Sequence, residues 1–120
     1  MEIWRNLIDY PNYRVSNLGN VMLKAGTNAA GQKRKQRMIK PRPDRDGYMR
    51  TQLRNEYGRK DVFVHRLVAQ AFVIVEHTDE TVNHENGVRH DNRVENLTWM
   101  TLQENIQHAI DNDYAIAYKE

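Results

Sequence analysis

The stretch from Thr81 to Ile110 limits what this chain can become more than any other part of it. Two short apolar runs, Thr81–His84 and Val94–Met100, flank a loop rich in Asn, Gly and Asp. Residues of that kind bond their own turns and tolerate left-handed backbone, so the runs read as two strands joined by a shaped loop. A helix follows at once. Thr101-Leu102-Gln103-Glu104 has the form of a capping box, with Thr101 as the cap and Glu104 reaching back. The apolar face of this helix is Leu102, Ile106, Ala109 and Ile110.

A second helix precedes the first strand. Val64, Leu67, Val68, Ala71 and Phe72 recur at i, i+3, i+4, i+7 and i+8, which marks one apolar helical face. The order is then helix, strand, loop, strand, helix. Earlier residues read as short strands and turns. Tyr13–Val15 and Val21–Leu23 are strand-like, around turn chemistry at Asn17-Leu18-Gly19-Asn20. Residues 24–37 are small, polar and basic, and are expected to form a mobile loop that orders on a partner. Met38–Lys40 reads as a short strand, after which Pro41 and Pro43 break the pattern before a turn at Asp44–Gly47. Tyr48–Leu53 and Asp61–Val64 are expected to pair across Asn55–Gly58.

The chain has 120 residues, enough for one domain or for two small modules sharing a core. It has no cysteine, which excludes disulfides and thiolate zinc sites and fits a cytoplasmic setting. No apolar run approaches the roughly 20 residues of a membrane span, and the N-terminus lacks the layout of a secretory signal. The net charge of +2 hides an asymmetry. Residues 1–60 hold 14 Lys/Arg against 5 Asp/Glu, whereas residues 61–120 hold 4 against 11. A half that basic attracts polyanions, because binding releases their condensed counterions. The cluster Lys33, Arg34, Lys35, Arg37, Lys40, Arg42 and Arg45 points to nucleic acid. Trp4, Tyr10, Tyr13 and Trp99 are expected in the core.

Several pieces stand in a telling order. "VNHENG" is followed by Asn96, twelve residues after His84, and then by "ENIQHA" on the capped helix. Together they resemble an HNH endonuclease of the phage and intron-homing type. Upstream, "VHRLVAQAF" is similar to the helix that precedes the HNH strand in such enzymes. "YRVSNLGNV" and "IKPRPDRDGYMRTQL" resemble the small DNA-binding module associated with these nucleases. The resemblance covers about residues 2–110. It implies an α+β fold: a basic β-rich module over residues 1–60, then a ββα-metal nuclease core over residues 61–120.

The resemblance also implies roles. His84 would be the general base, since an unperturbed imidazole pKa of about 6.5 suits proton transfer near neutral pH. Asn83 and Asn105 would hold one divalent metal, Mg²⁺ or Mn²⁺, through hard amide oxygens. In a regular strand side chains 83 and 84 point to opposite faces, so the metal would lie between strand and helix with the base beyond the scissile phosphate. Asn96 would hold the loop in shape through hydrogen bonds to backbone. Asn86, Gly87, His90, Asp91 and Asn92 are read as loop chemistry, with Asp91 a lesser candidate to assist the metal. His108 competes with Asn105 as a ligand, while reading more simply as an exposed helical histidine. Arg66 or Arg93 would steady the phosphate. His65, at a helix start beside Arg66, would touch phosphate or hydrogen-bond the hairpin. Lys33, Arg34, Lys35, Arg37, Arg42, Arg45 and Arg50 would contact double-stranded DNA.

The expected activity is hydrolysis of DNA phosphodiesters, leaving 5′-phosphate and 3′-hydroxyl ends. The competing reading is an HNH-fold DNA-binding module with catalysis weakened by the neutral Asn83. The resemblance places the protein in the bacterial cytoplasm, encoded by a phage or mobile element. Homing enzymes of this type usually continue into helical DNA-reading modules. Here the expectation is relaxed specificity, or a homodimer or partner that extends the footprint.

Overall fold

A computed structural model describes residues 1–73 and 81–114. In chain order the strands of the first half are β1 (Trp4–Asn6), β2 (Tyr13–Ser16), β3 (Val21–Leu23), β4 (Gly26–Thr27), β5 (Lys33–Arg34), β6 (Arg37–Ile39), β7 (Arg42–Pro43), β8 (Met49–Asn55) and β9 (Gly58–Phe63). Then come α1 (Val64–Phe72), β10 (Thr81–His84), a 3₁₀ turn (Val94–Asn96), β11 (Leu97–Met100) and α2 (Leu102–Asp111).

The first sheet is antiparallel with order β1-β2-β3-β6. The turn between β2 and β3 is built from the Asn-Gly chemistry expected there. The Ser16 hydroxyl accepts from the amides of Leu18 and Asn20, and Gly19 takes φ +88°, a region closed to most side chains. A second sheet, β7-β8-β9, continues the chain, and the long β8–β9 ribbon runs in register from Arg50↔Phe63 to Asn55↔Gly58. Asp44 shapes the turn before β8, its carboxylate accepting from the amides of Asp46 and Tyr48.

Three expectations change. Residues 24–37 are not an open loop: β4 and β5 pair as a ribbon whose tip is folded by Asn28, which accepts from the amides of Ala30 and Gln32. Pro43 does not end strand structure, because β7 is an edge strand paired on one side to β8, where a missing N–H is tolerated. Residues 94–96 form a 3₁₀ turn rather than strand, with the Asn96 amide donating to Arg93 carbonyl.

Both halves share one core. Leu7, just after β1, and Tyr13, Val15 and Val21 from the first sheet join Leu53 of β8, Val64, Leu67 and Val68 of α1, and Val82 and Leu97 of the hairpin. Tyr10 is also buried, Trp99 packs against the core, and Trp4 is half-buried. α1 is the central element, packed against β2, β8, β9, β10 and β11. Being enclosed on several sides explains why Val64, His65, Leu67, Val68 and Ala69 are all buried, more than one stripe predicts. α2 sits at the margin. Its capping box is complete, Glu104 N–H donating to the Thr101 hydroxyl and Thr101 N–H to the Glu104 carboxylate. None of its residues is fully buried, and Ile110, expected on the packed face, is 57 % exposed.

Candidate active site

The hairpin splits its side chains between two helices. β10 and β11 pair antiparallel with His84 opposite Leu97 and Asn83 opposite Thr98. Alternation puts Val82 and His84 on the face that meets α1, and Thr81 and Asn83 on the face that meets α2. Contacts on both sides agree. The His84 ring lies 5.1 Å from that of His65 on α1, whereas the Thr81 hydroxyl accepts from Asn105 Nδ2 on α2 at 3.0 Å.

His84 is 6 % exposed. Its Nε2 is 2.8 Å from Asn92 Oδ1. Burial pushes its pKa below the ordinary imidazole value, against the upward pull of the Asn92 bond and the nearby Asp91 carboxylate. The ring is therefore neutral near pH 7, the state a base needs. Nδ1 has no hydrogen bond to a described residue, yet it is not among the sealed, unpartnered polar atoms.

Asn83 is 3 % exposed, and its Nδ2 has no partner among the described residues. Such an orphaned amide is costly in a core and is expected where another group belongs. Asn105 reaches the same face of the hairpin, with Nδ2 directed to Thr81 Oγ1 and, at 3.5 Å, to Val82 carbonyl. These bonds fix its Nδ2 and leave its Oδ1 without a described partner. Asn105 thus keeps an uncommitted amide oxygen on this side of the strand, whereas at Asn83 the atom without a partner is the donor Nδ2, and its Oδ1 is the end that would meet a cation. No group of three or more His, Cys, Asp or Glu that could hold a metal exists among the described residues. The donor set fits a hard divalent cation that takes its other ligands from water and phosphate oxygens. A self-sufficient metal cage is not present among the described residues.

Asn96 organises the loop. Its Nδ2 donates to Asn86 Oδ1 and Asp91 carbonyl, each at 2.9 Å, and its Oδ1 accepts from the Asn86 amide at 3.0 Å. Asp91 is already engaged: Arg93 grips it with two bonds of 2.8 Å and also meets Glu95 at 3.0 Å. The Arg93 fork holds the Asp91 carboxyl well below the usual carboxylate range. Arg93 is thereby a staple of the loop, and Arg66 lies with its guanidinium 5.6 Å from the Trp99 ring centre.

Two histidines sit otherwise than expected. His65 is fully buried, and neither ring nitrogen has a hydrogen-bond partner among the described residues, so it neither faces phosphate nor bonds the hairpin. Its ring instead packs among Tyr48, Phe63 and His84 at 5.1–5.3 Å. Burial, then the neighbouring His84, drive its pKa down to about 3. His108 is not a freely exposed helical histidine. Its Nε2 lies 3.3 Å from Glu85 Oε2, and its ring meets Tyr114.

The basic residues divide by structure. Lys33, Lys35, Arg37, Arg42 and Arg45 are exposed. Arg34 is partly committed, its Nε donating to Lys24 carbonyl at 3.0 Å. Register and alternation gather Arg42, Arg50, Arg54 and Arg59 on one face of the second sheet, since Arg42 pairs with Arg50 and Arg54 with Arg59. Arg54 and Arg59 escaped a reading by charge runs, although the buried Thr51 and Leu53 beside Arg54 carry the signal of a two-faced strand. This face borders the histidines. Arg50 lies 5.3 Å over Phe63, Phe63 is 6.0 Å from Tyr48, and Tyr48 is 6.0 Å from His84.

Known proteins resemble this chain in sequence and in fold. Residues 2–54 match the NUMOD4 motif, and residues 62–107 match the HNH endonuclease family. Two relatives from Acanthamoeba polyphaga mimivirus, the uncharacterized HNH endonucleases L247 and L245, are 38 % and 31 % identical. The matches cover 93 % and 91 % of this chain but 27 % and 30 % of theirs, so it spans under a third of their length. The structure of the HNH homing endonuclease I-HmuI, described for its DNA binding and cleavage, matches with a TM-score of 0.73 at 28 % identity. That match covers 96 % of this chain and 62 % of the other. A strand-rich first half matching the NUMOD4 motif, a ββα unit matching the HNH endonuclease family, and one fold relating both to a homing enzyme make this chain similar to HNH endonucleases along nearly its whole length.

Proposed function

We propose that this protein is a DNA endonuclease that hydrolyses phosphodiester bonds with His84 as general base. The carrying observation is the state of His84: buried, held neutral, and bonded through Nε2 to Asn92 Oδ1, which leaves the lone pair on Nδ1. That nitrogen takes a proton from water as the water attacks phosphorus in line with the departing 3′ oxygen. The products carry 5′-phosphate and 3′-hydroxyl ends. Asn83 and Asn105 would hold one divalent metal, Mg²⁺ or Mn²⁺, through their amide oxygens. Bound there with phosphate oxygens, it would supply positive charge to the crowded phosphate and the leaving oxygen. Asn96 keeps the loop that carries Asn86 and Asp91 in register.

The basic half acts as the DNA-holding module, residues 1–60, and the core over residues 61–120 carries the chemistry. Duplex DNA lies across the guanidiniums of the second sheet and the Lys33–Arg37 region, where phosphate contacts set position. The aromatic path from Arg50 through Phe63 and Tyr48 to His84 links that face to the base. The test is direct. Supercoiled plasmid is incubated with Mg²⁺ or Mn²⁺ and either wild type or His84→Ala. Nicking by wild type alone supports the enzyme. Equal DNA binding without nicking by either, across several metals, supports the binding-module reading that the neutral Asn83 favours.

A further inference from the structure

Asn92 lies in the loop between the hairpin strands, 5 % exposed, with Oδ1 2.8 Å from His84 Nε2. An amide oxygen can only accept, so Nε2 must carry the ring proton. A neutral imidazole has one such proton, and Nδ1 is then the nitrogen with the lone pair. The identity of the base atom is thus decided by a side chain outside the expected catalytic set.

Asn92 is itself held from the other half of the chain. The turn between β2 and β3 reaches across to this loop, where Val94 N–H donates to Asn17 carbonyl at 2.8 Å. At Gly19 a Cβ would stand 2.9 Å from Asn92 Cβ and 3.0 Å from its carbonyl oxygen. Only a residue without a side chain lets the turn come this close. On the far side Asn96 bonds Asp91 carbonyl, one residue before Asn92. The loop is therefore clamped from the first sheet and from within the hairpin.

We propose that Asn92 is a positioning residue for His84: it selects the Nε2-protonated tautomer and aims Nδ1 outward, while the Asn17–Gly19 turn holds Asn92 in place. This rests on reading His84 as the base, but its first test does not need activity. The ¹⁵N-labelled full chain is examined by imidazole NMR as wild type, Asn92→Leu and Asn92→Asp. Wild type shows His84 protonated on Nε2. The Leu variant, similar in size but without an acceptor, loses that preference, and the Asp variant retains it. In plasmid nicking the Leu variant loses on the order of 10- to 100-fold in kcat with little change in KM for DNA, and Asp recovers most of it. A wild-type His84 protonated on Nδ1 overturns the proposal. So does a Leu variant with the wild-type tautomer and turnover. If the Leu variant does not fold, the wild-type and Asp tautomers still decide. The expected tautomers with no nicking by wild type uphold the Asn92 assignment and remove the nuclease reading.

Discussion

His65 and His84 meet edge to face with ring centres 5.1 Å apart, and they differ in one respect. His84 is hydrogen-bonded to Asn92, whereas neither nitrogen of His65 has a partner among the described residues. One imidazole is tied through Nε2. Its neighbour is sealed and neutral, and adds a flat ring against which the base can rest.

That contrast predicts acid sensitivity. In the folded protein His65 titrates at about 3, while in the unfolded chain it titrates near the ordinary imidazole value of 6.5. Between these values the unfolded chain takes up a proton that the fold refuses. Stability contributed by His65 is therefore full above pH ~6.5 and falls by about 1.4 kcal/mol for each unit toward pH ~3. His65→Phe keeps a ring and removes no hydrogen bond. Urea unfolding should show unchanged or raised stability at neutral pH and a shallower decline in acid. An equally steep acid limb in the variant would assign the sensitivity elsewhere.

Asn96 should prove a determinant of loop order. It makes three side-chain hydrogen bonds from a site 5 % exposed. Asn96→Ala leaves the Asn86 amide and Asp91 carbonyl short of a partner, at a cost of about 3 kcal/mol. Amide exchange at Asn86 should accelerate more than exchange in α1, showing that the damage begins in the loop. Uniform acceleration would mean that Asn96 supports the whole fold.

The elements that are legible in the sequence share a physical property: their signals are local. The α2 cap needs only Thr101 and Glu104, and α1 needs only its own spacing. β1 and the β4–β5 ribbon are not legible, because two- or three-residue polar strands exist through partners far along the chain, such as Trp4 opposite Ser16. The site divides in the same way. His84, Asn96 and Asn105 stand out in the sequence because their order and spacing resemble the HNH motif. The burial of His65 could not, since it depends on α1 being enclosed on several sides. Asn92 reads locally as a turn residue. Its bond to His84 and its approach to Gly19 arise only when the loop folds back.

DNA binding should depend on salt through identifiable cations. Lys33, Lys35 and Arg37 are exposed, and Arg50, Arg54 and Arg59 share one sheet face. Removing one cation that touches a phosphate should reduce the slope of log K against log salt by about 0.9. Replacing either trio with Gln should flatten the slope by up to ~2.7 if all three residues touch phosphate. Cleavage at saturating DNA should be unaffected. Filter binding across a salt series reads this directly, and an unchanged slope removes that trio from the interface.

The last prediction concerns metal affinity. Two neutral carboxamides, with no cluster of three or more His, Cys, Asp or Glu among the described residues, bind a divalent cation weakly unless DNA adds phosphate oxygens. Calorimetric titration of Mg²⁺ into the DNA-free protein should give a dissociation constant above the micromolar range, and a submicromolar value would contradict this donor set. Asn83→Asp places a carboxylate where an amide nitrogen now lacks a partner among the described residues. A buried, unpaired charge destabilises the metal-free protein, while the same charge strengthens the ion's hold. The variant should therefore bind Mn²⁺ about tenfold tighter or better, a gain of roughly 1.4 kcal/mol. It should also melt below wild type without metal and recover when Mn²⁺ is added. If the variant gains neither affinity nor metal-dependent stability, Asn83 does not face the cation.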